Sequence, residues 1–144
     1  MMPPIKPTRI FGLVTVLLVQ CPPTIWTQPA AEPTPLFTQA QASSGNMEYD
    51  TYCPSCHGAN LEGIHLAPSL TGNRFDRTWR GKALDIFSFH LRRMPPESVA
   101  KPGILSEETH TNILAYILQS NGFASGHIEL PSELDALADI TLPK

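Results

Sequence analysis

The sequence lacks the charge blocks, repeats and strand patterns that several common classes of protein have. It carries a formal net charge of −3 and no block of lysines or arginines, so nothing in it favours binding to nucleic acid. It contains no internal repeat, and no stretch alternates between polar and apolar residues for long enough to predict a strand. Charged residues are scarce at 16%, and the 42% of hydrophobic residues favours a globular body of about one domain.

The apolar run near the N-terminus is too short to cross a membrane. It is IFGLVTVLLV, residues 10–19, whereas a spanning helix needs about 20 apolar residues. Because Lys6 and Arg9 precede it, the segment is typical of a secretory signal. We therefore predict an exported, periplasmic protein in which residues 1–42 form the signal sequence and a leader rich in Pro, Ala and Thr. The cleavage site stays open between the low twenties and Ala42.

Cysteine is also scarce, with three residues in the chain: Cys21, Cys53 and Cys56. Cys21 follows the signal-like run and resembles the cysteine of a lipoprotein box, although Gln20 stands where a small residue is normally required. We favour its removal with the signal, and a lipid anchor through Cys21 is the alternative. Removal would leave one cysteine pair, which an oxidising compartment would join as a disulfide or consume in another way.

The remaining cysteines lie in CPSCH, residues 53–57, and three kinds of site contain such a motif. Zinc needs about four N or S ligands, usually from a second closely spaced pair, and the other histidines stand singly. A thioredoxin-like disulfide would open a helix after a buried strand, whereas the preceding GNMEYDTY is polar and helix-like. C-x-x-C-H is the attachment signature of c-type haem, in which Cys53 and Cys56 bond to the vinyl groups and His57 ligates the iron. We favour haem.

Met94 is the predicted second axial ligand of that iron. It lies in RRMPPE, where two prolines would stiffen the backbone and hold the thioether toward the iron. His90 and His65 are the alternatives, each more often a surface or core residue. Met47 precedes the cysteine motif and lies on the wrong side for this role.

Apolar periodicity and capping residues predict helices and little else. We expect the folded part to begin near Gly45, and residues 58–78 to be mostly loop. Ser106 is the expected N-cap of the clearest helix. The predicted helices cover residues 47–52, 82–92, 107–120 and, as a short final one, 132–138.

The first helix resembles that of class I cytochromes c. Gly45, Tyr49 and Cys53 are spaced four apart, as in that family's N-terminal helix, whose glycine lets the C-terminal helix cross closely. Tyr116 in LAYIL is similar to the family's aromatic residue at that crossing. The resemblance implies an all-α cytochrome c fold, with a small helical domain over residues 43–124 wrapped around one covalently attached haem c, and a C-terminal extension over residues 125–144.

Further motifs resemble the cytochrome c domains and subunits of quinohaemoprotein alcohol dehydrogenases. They are PSLTGNRF, WRGK, MPPE, PGILS, ILAYILQSNGF and ELP. Pro68 in APSL matches the class I cytochrome c proline whose carbonyl accepts the ring N–H of the proximal histidine, here His57. Two departures are that ESVAK lengthens the segment after Met94 and that no dehydrogenase domain is fused here, so a catalytic partner would be a separate polypeptide.

The function implied is one-electron transfer in the cell envelope, not enzymatic catalysis, because two axial ligands leave the iron no vacant position. The expected partners are a dehydrogenase as donor and an oxidase or another cytochrome as acceptor. The alternative is a haem enzyme or gas sensor in which Met94 is labile. Trp79 and Arg80 are the expected contacts of the haem propionates, because indole N–H and guanidinium groups are suitable donors. The expected apolar packing around the haem comes from Leu70, Phe75, Trp79, Leu84 and Phe87.

Overall fold

A computed structural model describes residues 34–64, 67–97, 100–101 and 103–144. Within these ranges the chain is mostly helical, so the prediction of an all-α protein is confirmed. The elements are β1 (Phe37–Thr38), α1 (Gln39–Tyr52), α2 (Pro54–His57), α3 (Gly72–Trp79), α4 (Leu84–Leu91), α5 (Glu107–Ser120), β2 (Ser125–Gly126) and α6 (Leu134–Ala138). In the part of the chain so described, no helix has both the length and the apolar character needed to span a bilayer.

Helix α1 begins at Gln39, well before the predicted start of folding near Gly45. Thr38 caps it: the Thr38 side chain accepts the backbone N–H of Gln41 at 3.2 Å, and the Gln41 side chain accepts the N–H of Thr38 at 3.1 Å. This reciprocal capping box satisfies two N–H groups that a helix start otherwise leaves free. Composition alone concealed this start, because the Pro- and Thr-rich residues before it resemble a linker.

Helices α1 and α5 cross in close contact at Gly45. A Cβ atom on Gly45 would lie 1.8 Å from the backbone oxygen of Asn112, so the backbones approach to a distance that only glycine permits. Next to the crossing, the rings of Tyr49 and Tyr116 have centroids 5.4 Å apart. Helix α5 has its predicted limits, with Ser106 accepting the N–H of Thr109 at 3.0 Å as the N-cap. Its predicted apolar stripe is buried, namely Ile113, Leu114, Ile117 and Leu118.

Helices α3 and α4 form the other side of the core. Helix α4 lies within the predicted 82–92 range. Helix α3 occupies a stretch predicted to be mostly loop, and that expectation is corrected here. Fully buried Phe75 explains the helix, because its ring packs edge-on against Phe87 at 5.8 Å and Phe123 at 6.1 Å. Such short helices owe their stability to tertiary packing rather than to propensity, so their local sequence is a weak signal.

The segment after α5 folds back against β1, against the start of α1 and against α4. β2 pairs in parallel with β1, and the Gln41 side chain exchanges two 2.9 Å hydrogen bonds with the backbone of Leu130. Helix α6 lies within the predicted range of residues 132–138, and Leu137 and Leu142 are buried. The packed region therefore extends beyond the predicted domain of residues 43–124 on both sides. The predicted signal sequence and most of the predicted leader lie outside the described residues.

Glu48 gives the helix crossing a pH dependence that can be measured. It faces α5, and its Oε2 atom is buried without a hydrogen-bond partner among the described residues. Burial raises the pKa of this carboxyl above its ordinary value of 4.5. The folded protein therefore binds the Glu48 proton more tightly than the unfolded chain does. The resulting contribution to the free energy of unfolding is complete below pH 4.5, and it is lost as pH rises through the raised pKa.

We therefore expect Glu48→Gln to stabilise the protein at neutral pH. The free energy of unfolding should rise by less than about 1 kcal/mol, because part of the carboxylate still meets water. The gain should vanish well below pH 4.5, where the glutamate is itself neutral. Urea denaturation of both proteins across this pH range measures the difference. Glu129→Gln, at an exposed glutamate, controls for net charge; an equal gain there would contradict the assignment to burial.

Candidate functional site

The CPSCH residues form one tight turn that consists of Cys53, which joins α1 to α2, and of α2 itself. Cys53 ends α1, with its N–H donating to the Tyr49 oxygen at 2.9 Å, and it also begins α2. Pro54 occupies the first turn of α2, where a missing N–H is tolerated. The His57 N–H donates to the Cys53 oxygen at 3.0 Å. This turn brings two half-buried free thiols and an imidazole to one place.

These three side chains line a cavity of about 520 Å³, called here the central cavity. Its volume falls within the range of about 300–1,000 Å³ typical of cofactor sites. An adjoining cavity of about 300 Å³ is lined by the same two cysteines and by His57. Residues shared by both linings also include Leu91, Met94, Pro96 and Ile113. The cysteine motif therefore opens onto a continuous, largely apolar region.

The imidazole of His57 is oriented by the backbone. Its Nδ1 lies 2.9 Å from the carbonyl oxygen of Pro68, so the Nδ1–H tautomer donates to that oxygen. The other ring nitrogen, Nε2, then keeps its lone pair for a metal. A bond of this kind fixes the ring and makes it a stronger ligand. The structure thus brings together the two residues that the resemblance to class I cytochromes c paired.

Tyr49 holds the backbone directly after His57. Its hydroxyl donates to the Gly58 oxygen at 2.7 Å in a buried position. Burial is the main cause that raises the pKa of Tyr49, so the hydroxyl keeps its proton and remains a donor. Gly58 has φ of 80°, and a Cβ there would meet the Glu62 carboxylate at 2.3 Å. Sequence reasoning identified Tyr49 at the helix crossing and missed this hydrogen bond, because only the folded turn brings the two groups together.

The thiol chemistry differs from that of a redox disulfide. Burial, followed by the nearby Cys56, raises the pKa of Cys53 to about 11. Redox-active C-x-x-C sites instead lower a cysteine pKa to about 3.5–7.5, because the thiolate is the reactive form. In the described ranges, no three His, Cys, Asp or Glu side chains cluster as a metal site of their own would require. Neither the raised Cys53 pKa nor a ligand cluster among the described residues supports the disulfide or the zinc alternative.

Met94 lies beyond the end of α4 and lines both cavities. Its N–H donates to the Leu91 oxygen at 2.9 Å, and the side chain is 42% exposed. His90, the alternative ligand, also lines the central cavity, and its ring centroid is 5.7 Å from that of Trp79. His65 lies outside the described residues. Met94 shares both linings with His57, whereas His90 lines the central cavity without lining the adjoining one.

The two predicted propionate contacts lie in different places. Trp79 lines the central cavity and stacks on Phe87, with centroids 4.4 Å apart. Arg80 does not line it. Its Nε is 2.6 Å from Asp76 Oδ1, and the guanidinium lies 4.7 Å from the Phe123 ring centroid. Arg80 as a propionate contact stays a prediction; its guanidinium lies on the side of the C-terminal segment.

The apolar walls of the central cavity agree in part with the expected set. Leu70, Trp79 and Phe87 line it. Phe75 and Leu84 are fully buried in the protein core and are absent from this lining, so they support the wall from behind. Leu91, Ile113 and Ile117 line the cavity without having been singled out for it. Paired thiols, an oriented imidazole, a thioether and apolar walls together fit a covalently attached haem.

Comparison with known proteins gives a consistent result. No family model matches the chain. The cytochrome bc1 complex cytochrome c subunit of Mycobacterium leprae is 33% identical over 101 residues, and those of Mycobacterium bovis and Mycobacterium tuberculosis are 36% identical over 102 residues. The matches cover 62% of this chain and 32–34% of the relatives, so the chain spans about a third of their length. With the helical architecture, they support a c-type cytochrome with the all-α cytochrome c fold.

Proposed function

We propose that this protein transfers single electrons as a mono-haem c-type cytochrome of the cell envelope. The observation that carries the proposal is that Cys53, Cys56, His57 and Met94 line one cavity, with His57 oriented by the carbonyl of Pro68. A bound haem would supply the one-electron Fe(III)/Fe(II) couple. The chain would supply two attachment thiols, two iron ligands and largely apolar walls around that couple.

Each group has a distinct task in this proposal. Cys53 and Cys56 would attach the haem covalently and so keep it from dissociating, and His57 and Met94 would bind its iron. Thioether ligation favours the reduced state relative to a second histidine. The apolar walls near Phe87 and Ile113 limit the access of water, which acts in the same direction. With His57 and Met94 both bound to the iron, the site would be suited to electron transfer rather than to catalysis.

The proposed partners belong to a respiratory chain. The curated relatives are named as cytochrome c subunits of the cytochrome bc1 complex, and we extend that setting to this chain as part of the proposal. The comparisons do not support the alcohol dehydrogenase branch, so a dehydrogenase donor has only the sequence motifs behind it. Export through residues 1–42 and an anchor at Cys21 also rest on sequence. Stopped-flow reduction by a purified quinol-oxidising complex, compared with a quinoprotein dehydrogenase, tests which donor reacts faster.

Absorbance spectroscopy of the protein made in a host that attaches haem to cytochromes tests the central proposal. We expect a six-coordinate low-spin spectrum with a sulfur-to-iron charge-transfer band, and a mass increased by one haem. Met94→Ala should abolish the band and give a high-spin ferric form that binds added imidazole readily, because one axial position becomes open. Met47→Ala, at an exposed methionine on α1, is the matched control and should leave the spectrum unchanged.

The same spectra separate the competing functions. A five-coordinate high-spin spectrum of the unsubstituted protein would favour the haem enzyme or gas sensor. A sulfur-to-iron band that survives Met94→Ala would show that Met94 is not the ligand. Protein without a Soret band would contradict haem binding altogether.

A further inference from the structure

His110 links helix α5 to the segment that carries Met94. The residue is 6% exposed and lies in the first half of α5. Its Nε2 is 3.0 Å from the backbone oxygen of Met94, and its Nδ1 is 2.9 Å from the backbone oxygen of Ser106. His110 also lines the adjoining cavity together with Met94 and His57. A buried imidazole therefore stands between the helix crossing and the predicted iron ligand.

The two carbonyl oxygens differ in their need for a donor. A neutral imidazole has one N–H to give. The Ser106 oxygen already accepts the backbone N–H of His110 at 3.1 Å. Among the described residues, the Met94 oxygen has His110 as its one donor. With its N–H on Nε2 a neutral imidazole gives the Met94 oxygen a donor and leaves the Ser106 oxygen with its backbone donor, so this tautomer satisfies both carbonyls.

This bond completes the anchoring of residue 94 on both sides. The Met94 N–H already donates to the Leu91 oxygen at the end of α4, which fixes the incoming chain. His110 fixes the outgoing carbonyl, and α5 is itself held by the close crossing at Gly45. Nearby, Arg92 Nη1 is 2.7 Å from Glu107 Oε1 and ties the same ends of α4 and α5 together. Contacts with α4 and α5, rather than its own loop alone, therefore fix the position of the Met94 backbone.

We propose that His110 is a positioning residue that holds the Met94 thioether on the iron. The proposal rests on the function proposed above, and it assigns to His110 no contact with the haem. Loss of the hydrogen bond should free the Met94 backbone and make the thioether easier to displace. The helix pair, which relies on other contacts, should remain in place.

Amide substitutions separate positioning from general packing. The amide nitrogen of glutamine reaches about as far as histidine Nε2, whereas that of asparagine reaches about as far as Nδ1. His110→Gln therefore keeps a donor for the Met94 oxygen, and His110→Asn loses it while still placing a polar group in the same space. His127→Asn, at an exposed histidine, is the matched control.

The experiment is imidazole titration of the ferric holoprotein, together with the intensity of the sulfur-to-iron band and the urea unfolding midpoint. We expect His110→Asn to bind imidazole about fivefold more tightly than wild type, the change expected for one lost hydrogen bond. The band should weaken in parallel. His110→Gln and His127→Asn should match wild type. Equal imidazole affinity in the Asn and Gln variants, at equal unfolding midpoints, would overturn the positioning role.

Failure of the underlying function is visible separately. If the unsubstituted protein lacks the sulfur-to-iron band, the ligand set itself is wrong, and this inference is overturned with it before any variant is compared. If His110→Asn does not fold, the sulfur-to-iron band of His110→Gln still tests the proposal. A Gln variant that folds like wild type but loses the band would show that a donor to the Met94 oxygen is insufficient, which also overturns the proposal.

Discussion

Gly45→Ala is expected to destabilise the protein by about 2–3 kcal/mol, a large share of the roughly 5–15 kcal/mol available to a small domain. A Cβ at this position would lie 1.8 Å from the Asn112 oxygen and 2.9 Å from the Ile113 nitrogen, both backbone atoms of α5. Backbone atoms cannot rotate away, so the two helices must separate. The gain of about 1 kcal/mol in helix propensity offsets only part of that loss. Thermal unfolding of the holoprotein should show a midpoint lower by roughly 10–20 °C.

Asn46→Ala is the matched control for this substitution. Asn46 is the next residue of α1 and is exposed, so alanine there improves helix propensity without approaching α5. We expect an unchanged or slightly raised melting temperature. A Gly45→Ala protein as stable as Asn46→Ala would contradict the close crossing and, with it, the arrangement of the helices that hold the cysteine turn.

Parts of the molecule that depend on short-range sequence were predictable. The CPSCH turn needs five consecutive residues, and the alignment of Gly45, Tyr49 and Cys53 follows from the helical repeat. Helix α5 was predicted at its observed limits because Ser106 and the apolar stripe are both local signals. These elements determine where the thiols and His57 lie, so the centre of the candidate site could be predicted from the sequence.

Features that depend on distant parts of the chain were not predictable. Helix α3 forms because Phe75 packs against Phe87 and Phe123, and no local sequence pattern predicts that contact. Arg80 is adjacent to Trp79 in sequence, yet only Trp79 lines the central cavity, because the helix ends at Trp79 and Arg80 turns toward the C-terminal segment. The bond from His110 to Met94 joins residues on separate elements and has no sequence signature.

Removal of both thiols should have the other large effect. We expect the Cys53→Ala, Cys56→Ala protein to lack covalent haem and to be largely unfolded. The central cavity of about 520 Å³ would then have no permanent occupant. Without it the apolar walls of this cavity would meet water, and a domain with roughly 5–15 kcal/mol of stability tolerates little loss of apolar burial. The helical signal in far-UV circular dichroism and the covalent haem content after denaturation measure both effects.

Ser55→Ala provides the matched control within the same turn. Ser55 lies between the two cysteines and is exposed, so its replacement leaves both thiols and the His57 ligand in place. This variant should retain covalent haem and a native helical spectrum, which shows that substitution in the turn is tolerated in itself. A double cysteine variant with a native helical spectrum and cooperative unfolding would mean that the helices pack without the haem. Stability would then reside in the α1–α5 crossing and the C-terminal segment, and the cavity would be a preformed site that the haem enters after folding.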